Sequence, residues 1–279
     1  MGNDAEMNQK KEQGAAVVSE SSRALANAIE TMVACIGEIL FDRAPSIYLY
    51  GSVPLGDFRL GWSDIDLLVL TEKQMTEAQA EALLHLRQRL LKEEPQNPYY
   101  RSFEGGILSL SAFVRQESDR VVYWGTSGQK ITDFYCLDSF CMTELLENGV
   151  LLYGKDIRDR LHMPGYSDLY SDVLRHYETI IKYAKTTGRS IYAFGWLLDI
   201  ARGIYTLQTG KIISKTVAGE WVLQTGICPT PEALKLALRV RKEPALYRND
   251  PDIMDQAESM GDAIQAFAFV LGTYLRDFR

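Results

Sequence analysis

Two aspartates, Asp64 and Asp66, open an apolar run, Ile65 to Leu70, and upstream of them a first apolar run, Ile47 to Tyr50, leads straight into Gly51-Ser52. In an extended strand side chains two apart share a face, so both carboxylates point one way while Ile65 and Leu67 point into the core. Carboxylates held that close repel each other and raise each other's pKa unless a positive charge sits between them. A divalent metal supplies that charge. Hard oxygen donors suit Mg²⁺, which takes a few carboxylates together with substrate phosphates in preference to a closed protein cage. The Gly51-Ser52 turn offers the other half of a site: glycine lets a phosphate come close to the backbone, and exposed N–H groups with a small hydroxyl can cradle polyphosphate oxygens. The plainer alternative is a turn glycine followed by two aspartates that merely begin a strand. The combination of strand, Gly-Ser, loop and strand favours the functional reading.

The elements that must position these residues follow from the pattern around them. From Ser22, the residues Leu25, Ile29, Met32, Val33, Ile36, Ile39 and Leu40 recur at helical spacing as far as Arg43-Ala44-Pro45. Thr76-Glu77-Ala78-Gln79 is a capping box ahead of Leu83, Leu84, Leu86, Leu90 and Leu91, a helix that ends before Pro95. Arg101 to Val114 is predicted as a third main strand, with Glu104 its only acidic residue and Gly105-Gly106 able to form a bulge or admit a ligand. Val121 to Trp124 and Ile131 to Tyr135 suggest a hairpin or a substrate-side loop across the turn 125–128, and Trp124 is either a platform for a substrate ring or part of the core. Asp138 precedes a helix through Glu147, as its N-cap or as a substrate contact. In the loop between the motif halves, Asp57 and Arg59 could touch a nucleotide, but Asp57 is read as a turn residue without a catalytic role.

Tyr50-Gly51-Ser52 and Asp64-Ile65-Asp66-Leu67, separated by their loop, resemble the signature of the nucleotidyltransferase superfamily that includes DNA polymerase β. The resemblance implies that Asp64 and Asp66 hold Mg²⁺ and that Gly51 and Ser52 seat a nucleoside triphosphate. Ser63 falls where the family often uses a hydroxyl near the nucleotide, although a serine leading into a strand needs no such role. The superfamily draws a third carboxylate from the strand after the intervening helix, which points to Glu104 as general base and third metal ligand; an exposed strand glutamate is the alternative.

Pro164-Gly165 marks a boundary, beyond which the pattern is helical: about 167–187, 190–209, 214–225, 231–242 and 251 to the end, broken at Gly188, Gly210 and Gly226 and at Pro229 and Pro231. The chain is thus expected to be α+β, a small mixed β-sheet with flanking helices over residues 1–160, followed by an all-α helical bundle over 165–279. Within the bundle Arg202-x-x-Tyr205, Thr209-Gly-Lys211 and Lys215 ahead of Ala218-x-x-Trp221 resemble the aminoglycoside adenylyltransferases that modify streptomycin and spectinomycin. That resemblance implies that Arg202 and Lys215 reach the triphosphate, with Lys211 the substitute candidate. ATP brings about four negative charges, and fixed cations at the leaving pyrophosphate stabilise the charge developing there. Otherwise Arg202 is a helix-surface ion pair and Lys215 a solvated first-turn lysine. One segment departs from the family: Lys185-Thr-Thr-Gly-Arg-Ser190 is basic where the streptomycin-modifying enzymes present acidic residues, which argues against streptomycin as substrate.

Composition narrows the partners. A net charge of −7 over 279 residues disfavours a grip on long nucleic acid, which calls for a basic surface, and favours a small and even cationic substrate. An apolar fraction of 46% without any run near the ~20 residues that span a bilayer, together with a polar start lacking a signal-peptide pattern, leads to the expectation of a cytoplasmic protein away from membranes. Cys35, Cys136, Cys141 and Cys228 form no Cys-x-x-Cys pair and are expected to be reduced thiols. The reaction expected is Mg²⁺-dependent transfer of AMP from ATP to a hydroxyl of a small, aminoglycoside-like acceptor. The alternatives are a nucleotide-binding regulatory or antitoxin-type protein on the same fold and a transferase acting on a protein.

Overall fold

The structure is a computed structural model that describes residues 22–125 and 128–277. The polar amino-terminal stretch and the tip of the 125–128 turn therefore lie outside the described residues. Helix α1 runs over 22–39 and buries the apolar stripe read from the sequence, with Ile29, Met32, Val33, Ile36 and Leu40 all in the core. A 3₁₀ turn at Phe41–Arg43 ends on Ala44 in the left-handed region, and β1 (Pro45–Tyr50) begins there.

β2 is Ile65–Thr71 and α2 is Glu77–Glu93; its capping box is present, with the Gln79 N–H donating to Thr76 Oγ1 at 3.2 Å. β3 covers Phe103–Ser109, shorter than the run read from the sequence, because Ser109 accepts a hydrogen bond from the Ala112 N–H and starts the short helix α3 (Leu110–Arg115). β4 (Val121–Gly125) and β5 (Gly128–Thr132) form the expected hairpin, with Val121 opposite Thr132 and Gly125 opposite Gly128. After α4 (Ser139–Asn148) comes β6 (Val150–Tyr153), and the sheet order is β5-β4-β3-β2-β1-β6.

The remaining helices are α5 (Tyr166–Tyr183), α6 (Gly195–Thr209), α7 (Lys215–Thr225), α8 (Pro231–Lys242), the short α9 (Pro244–Tyr247), α10 (Pro251–Glu258) and α11 (Gly261–Asp277). The last two were one helix in the sequence reading. α10 closes at Ser259, whose N–H donates to the Asp255 and Gln256 carbonyls at 3.2 Å, and α11 opens at Gly261, where a β-carbon would fall 2.1 Å from the Lys185 carbonyl oxygen. α6 is central to this bundle, with Leu197, Leu198, Ile200, Ala201, Ile204 and Leu207 all buried against α5, α7, α8 and α11. Among the described residues no helix is long and apolar enough to cross a membrane, and the four cysteines are free thiols.

By contact the chain forms two compact units that are interleaved in sequence. One holds the described residues to Ile47 with Val69–Phe134 and Leu152–Lys155; the other holds Tyr48–Leu68, Tyr135–Leu151 and Asp156–Arg279. The Gly-Ser turn, both aspartates and α4 thus belong to the same unit as the bundle helices.

Candidate active site

Tyr50 ends β1 in the extended conformation and the next residue, Gly51, reverses the chain at φ 72°. A side chain is disfavoured there on two grounds. The backbone lies in the left-handed region, and a β-carbon would meet Asp66 Oδ2 at 2.3 Å. The Asp66 carboxylate is thus seated directly over the bare Cα of the turn. The loop that follows is held by its own backbone, with the Asp57 N–H donating to the Ser52 carbonyl at 2.9 Å and the Ser63 N–H to the Arg59 carbonyl at 2.8 Å. Ser52 Oγ donates to the Asp64 carbonyl at 3.3 Å, and Ser63 Oγ accepts the Arg59 N–H at 3.0 Å. Asp64 and Asp66 flank the buried Ile65 and are themselves half-buried, as the alternation of a strand requires.

These residues line a cavity of about 210 Å³ together with Arg202 and Lys215. Gly51, Ser52, Ser63, Asp64, Asp66, Arg202 and Lys215 are therefore brought together on one cavity, whereas Lys211 is exposed and does not line it. Neither Arg202 nor Lys215 is a solvated surface cation. Arg202 donates to Glu144 Oε1 at 3.0 Å, and Lys215, the first residue of α7, lies 2.7 Å from Asp199 Oδ1. Burial works against the Arg202 charge, but Glu144 and Asp199 outweigh it and push its pKa above the ordinary arginine value. Burial also opposes ionisation of Asp199, yet Lys215, His176 and Arg202 hold its carboxyl far below the usual range. At Glu144 burial prevails over Arg202 and the pKa is raised. The Cys141 thiol, also on the wall, is pushed well up by burial and by Asp138, Glu144 and Asp66, so it stays protonated and is no nucleophile near neutral pH.

Glu144, Asp199, Asp57 and Arg241 were not assigned to the site from sequence. Asp199 and Arg202 did leave a signal, two charges three residues apart in the otherwise apolar run Trp196 to Leu207. Glu144 and Arg241 left none that distinguishes them from surface charges of an amphipathic helix. A second cavity of about 250 Å³ shares Arg202 and Lys215 with the first and is walled by Phe140, Val173 and Leu271 along with Asp138 and His176. Asp138 caps α4, accepting the Cys141 N–H at 2.8 Å, so it fills the capping role and also faces a cavity.

Glu104 stands in the other unit, second in β3 and half-buried. The Tyr123 hydroxyl donates to its Oε1 at 3.1 Å. The end of the strand that carries it is anchored by the buried Arg87, which donates to the Phe103 carbonyl at 2.6 Å and the Gly125 carbonyl at 3.4 Å. The next residue, Gly105, lies at φ 144°, where a side chain is disfavoured. Trp124 is core and no substrate platform: it is 1% exposed and its Nε1 donates to the Leu83 carbonyl at 3.1 Å.

Among the described residues no group of three or more His, Cys, Asp or Glu side chains is close enough to hold a metal ion by itself. The donor set nevertheless fits Mg²⁺, because two hard carboxylates beside an open backbone turn leave the remaining positions to substrate phosphates and water. In the basic segment before α6, Arg189 is paired to Asp255 and lies within 3.7 Å of Glu258, and Thr187 Oγ1 donates to the Ala257 carbonyl at 2.7 Å.

A Gly-Ser turn and paired aspartates facing fixed cations are the parts of a nucleotidyltransferase, and residues 41–101 match the nucleotidyltransferase domain. Residues 168–260 match the aminoglycoside adenylyltransferase C-terminal domain. The chain thus joins a region similar to the nucleotidyltransferase domain to one similar to the C-terminal domain of the aminoglycoside adenylyltransferases, a combination that supports an adenylyltransferase enzyme. Its fold is also that of the spectinomycin adenyltransferase AAD(9) from Enterococcus faecialis, solved with ATP and spectinomycin: the TM-score is 0.61 at 19% identity, over 87% of this chain and 97% of that one.

Gly51→Ala is expected to displace the Asp66 carboxylate and to cost about 1–3 kcal/mol of stability through the left-handed backbone alone. Chemical denaturation and calorimetric titration with ATP would show this as a lower midpoint and weakened binding. A variant with unchanged stability and affinity would mean that the turn does not seat the carboxylate as described.

Proposed function

We propose that the protein transfers AMP from ATP to a hydroxyl of a small, aminoglycoside-like acceptor, releasing pyrophosphate. The observation that carries this reading is the convergence of Gly51, Ser52, Asp64, Asp66, Arg202 and Lys215 on one cavity. In this scheme Asp64 and Asp66 hold Mg²⁺, which when bound neutralises phosphate charge and polarises the phosphorus under attack. Gly51 and Ser52 seat the phosphate chain. Arg202 and Lys215 meet the leaving pyrophosphate, where negative charge grows as the bond breaks. The adjoining cavity leaves room for the rest of the nucleotide next to those two cations. Glu104 serves as the base that takes the proton of the attacking hydroxyl, a role that suits a carboxylate on a strand whose end is anchored by Arg87.

Incubation with ATP, Mg²⁺ and a panel of aminoglycosides, followed by pyrophosphate release and by mass spectrometry of the acceptor, tests the reading directly. Gain of one AMP by spectinomycin or another member of the panel supports it. Release of pyrophosphate with no modified small molecule, and AMP found on a protein, would shift the acceptor class.

Lys215→Ala is expected to weaken ATP binding by ~1.5–3 kcal/mol, the range for hydrogen bonds to charged groups, with AMP much less affected because the lost contacts are to the β- and γ-phosphates. Arg202→Ala should do the same and in addition lower stability, since it leaves the buried Glu144 without its cation. Equal losses for ATP and AMP with Lys215→Ala would contradict the assignment.

A further inference from the structure

The loop between the motif halves carries a buried ionic network that the nucleotide chemistry does not itself require. Asp57, 4% exposed, accepts from the Thr216 hydroxyl at 2.6 Å through Oδ1 and from Arg241 Nη2 at 2.8 Å through Oδ2. The Thr216 N–H also points to Oδ2 at 3.2 Å, and Arg241 Nε donates to Thr216 Oγ1 at 3.1 Å. Arg241 is 3% exposed and Thr216 7%. Burial opposes the Asp57 charge, but Arg241 and the hydrogen bonds from Thr216 outweigh it and hold the carboxyl below its ordinary value.

A buried ion pair is a poor way to gain stability, because the desolvation of two charges offsets most of their attraction and apolar side chains of the same volume often do better. What it does supply is direction. Each bond in this network has one geometry, and its two ends are parts of the nucleotide site. At one end the Asp57 N–H holds the Ser52 carbonyl at 2.9 Å, so Asp57 is tied to the phosphate-seating turn. At the other it binds the backbone of Thr216, the second residue of α7, directly after Lys215. A lysine at the first position of a helix opposes the helix dipole, and a carboxylate against the first-turn N–H offsets that cost.

We propose that Asp57, with Thr216 and Arg241, is a positioning residue for triphosphate binding: it fixes the separation between the Gly51-Ser52 turn and the Lys215 ammonium. This deepens the function proposed above and rests on it. Asp57 touches no phosphate in this scheme. It acts through Lys215, and that distinguishes it from a residue that merely holds the fold together.

The test is a double-mutant cycle on the full chain, with ATP and AMP dissociation constants measured calorimetrically in Mg²⁺ for the parent, Asp57→Asn, Lys215→Ala and the double variant. Asp57→Asn is expected to weaken ATP by roughly tenfold or more, the scale on which a misplaced binding group loses its contact. AMP affinity should stay within about twofold, and in the Lys215→Ala background the added effect of Asp57→Asn on ATP should also fall within about twofold, the tolerance for non-coupled sites. An undiminished loss in that background, an equal loss for ATP and AMP, or parental ATP affinity in a folded Asp57→Asn overturns the proposal. If Lys215→Ala alone leaves ATP affinity unchanged, the assignment of the cavity to triphosphate fails with it. Should Asp57→Asn not fold by circular dichroism, Thr216→Val keeps the Asp57–Arg241 pair and removes only the hydroxyl. Its loss of ATP affinity should be smaller, confined to ATP and absent in the Lys215→Ala background; any other pattern counts against the proposal.

Discussion

Asp64→Asn and Asp66→Asn are each expected to abolish nucleotidyl transfer while leaving the fold in place. The amide has the shape of the carboxylate, and the neighbouring Ile65 and Leu67, which are 0% and 1% exposed, keep β2 anchored in the core. What is lost is one of the two negative charges available to a divalent cation, and with it the neutralisation of the phosphate chain. Pyrophosphate release at ordinary Mg²⁺ concentration measures the effect, with thermal melting as the control for folding. Asp66 gives the sharper result, because its carboxylate lies against the Gly51 Cα and its position is set by that contact. Parental turnover in either folded variant would remove the metal assignment altogether.

Glu104→Gln should leave ATP binding largely intact and lower turnover by ~10²–10⁴, the contribution of a general base. The Tyr123 hydroxyl that donates to Oε1 can donate equally to an amide oxygen, so the side chain keeps its place and only its capacity to take a proton is removed. Single-turnover rates and calorimetric binding, run side by side, separate the two properties. Loss of nucleotide binding along with turnover would make Glu104 mainly a metal ligand. An unchanged rate would send the search for the base to another carboxylate, and Glu144, which lines the cavity beside Asp64 and Asp66, is the first to try.

Much of the fold was legible because local chemistry decides it. The capping box at Thr76 and Gln79, the stripe of α1, the Pro starts of α8 and α10 and the glycine ends of α6 and α7 are signals contained within a few residues. The strand after α2 was read too long, because Ser109 can either continue a strand or cap a helix and only its bond to the Ala112 N–H settles which. The single last helix of the sequence reading is divided at Ser259, whose N–H bonds back to the Asp255 and Gln256 carbonyls and closes α10 two residues before α11 begins.

For the site, the sequence by itself determined which candidate side chains are available: two aspartates with one residue between them, the glycine and serine before them, and an arginine and lysine in a motif of the bundle. Residue type and spacing suffice for that, since the period of a strand dictates the shared face and the hydroxyl or charge dictates what can be bound. The tertiary structure decided the partners. Asp57, read as a turn residue, is the hub of a buried network with Thr216 and Arg241, and the two expected cations face Glu144 and Asp199 in place of solvent. Such pairings join residues separated in sequence by as many as 184 positions, so no local pattern encodes them. They form only where packing removes water and leaves each buried charge to find its opposite.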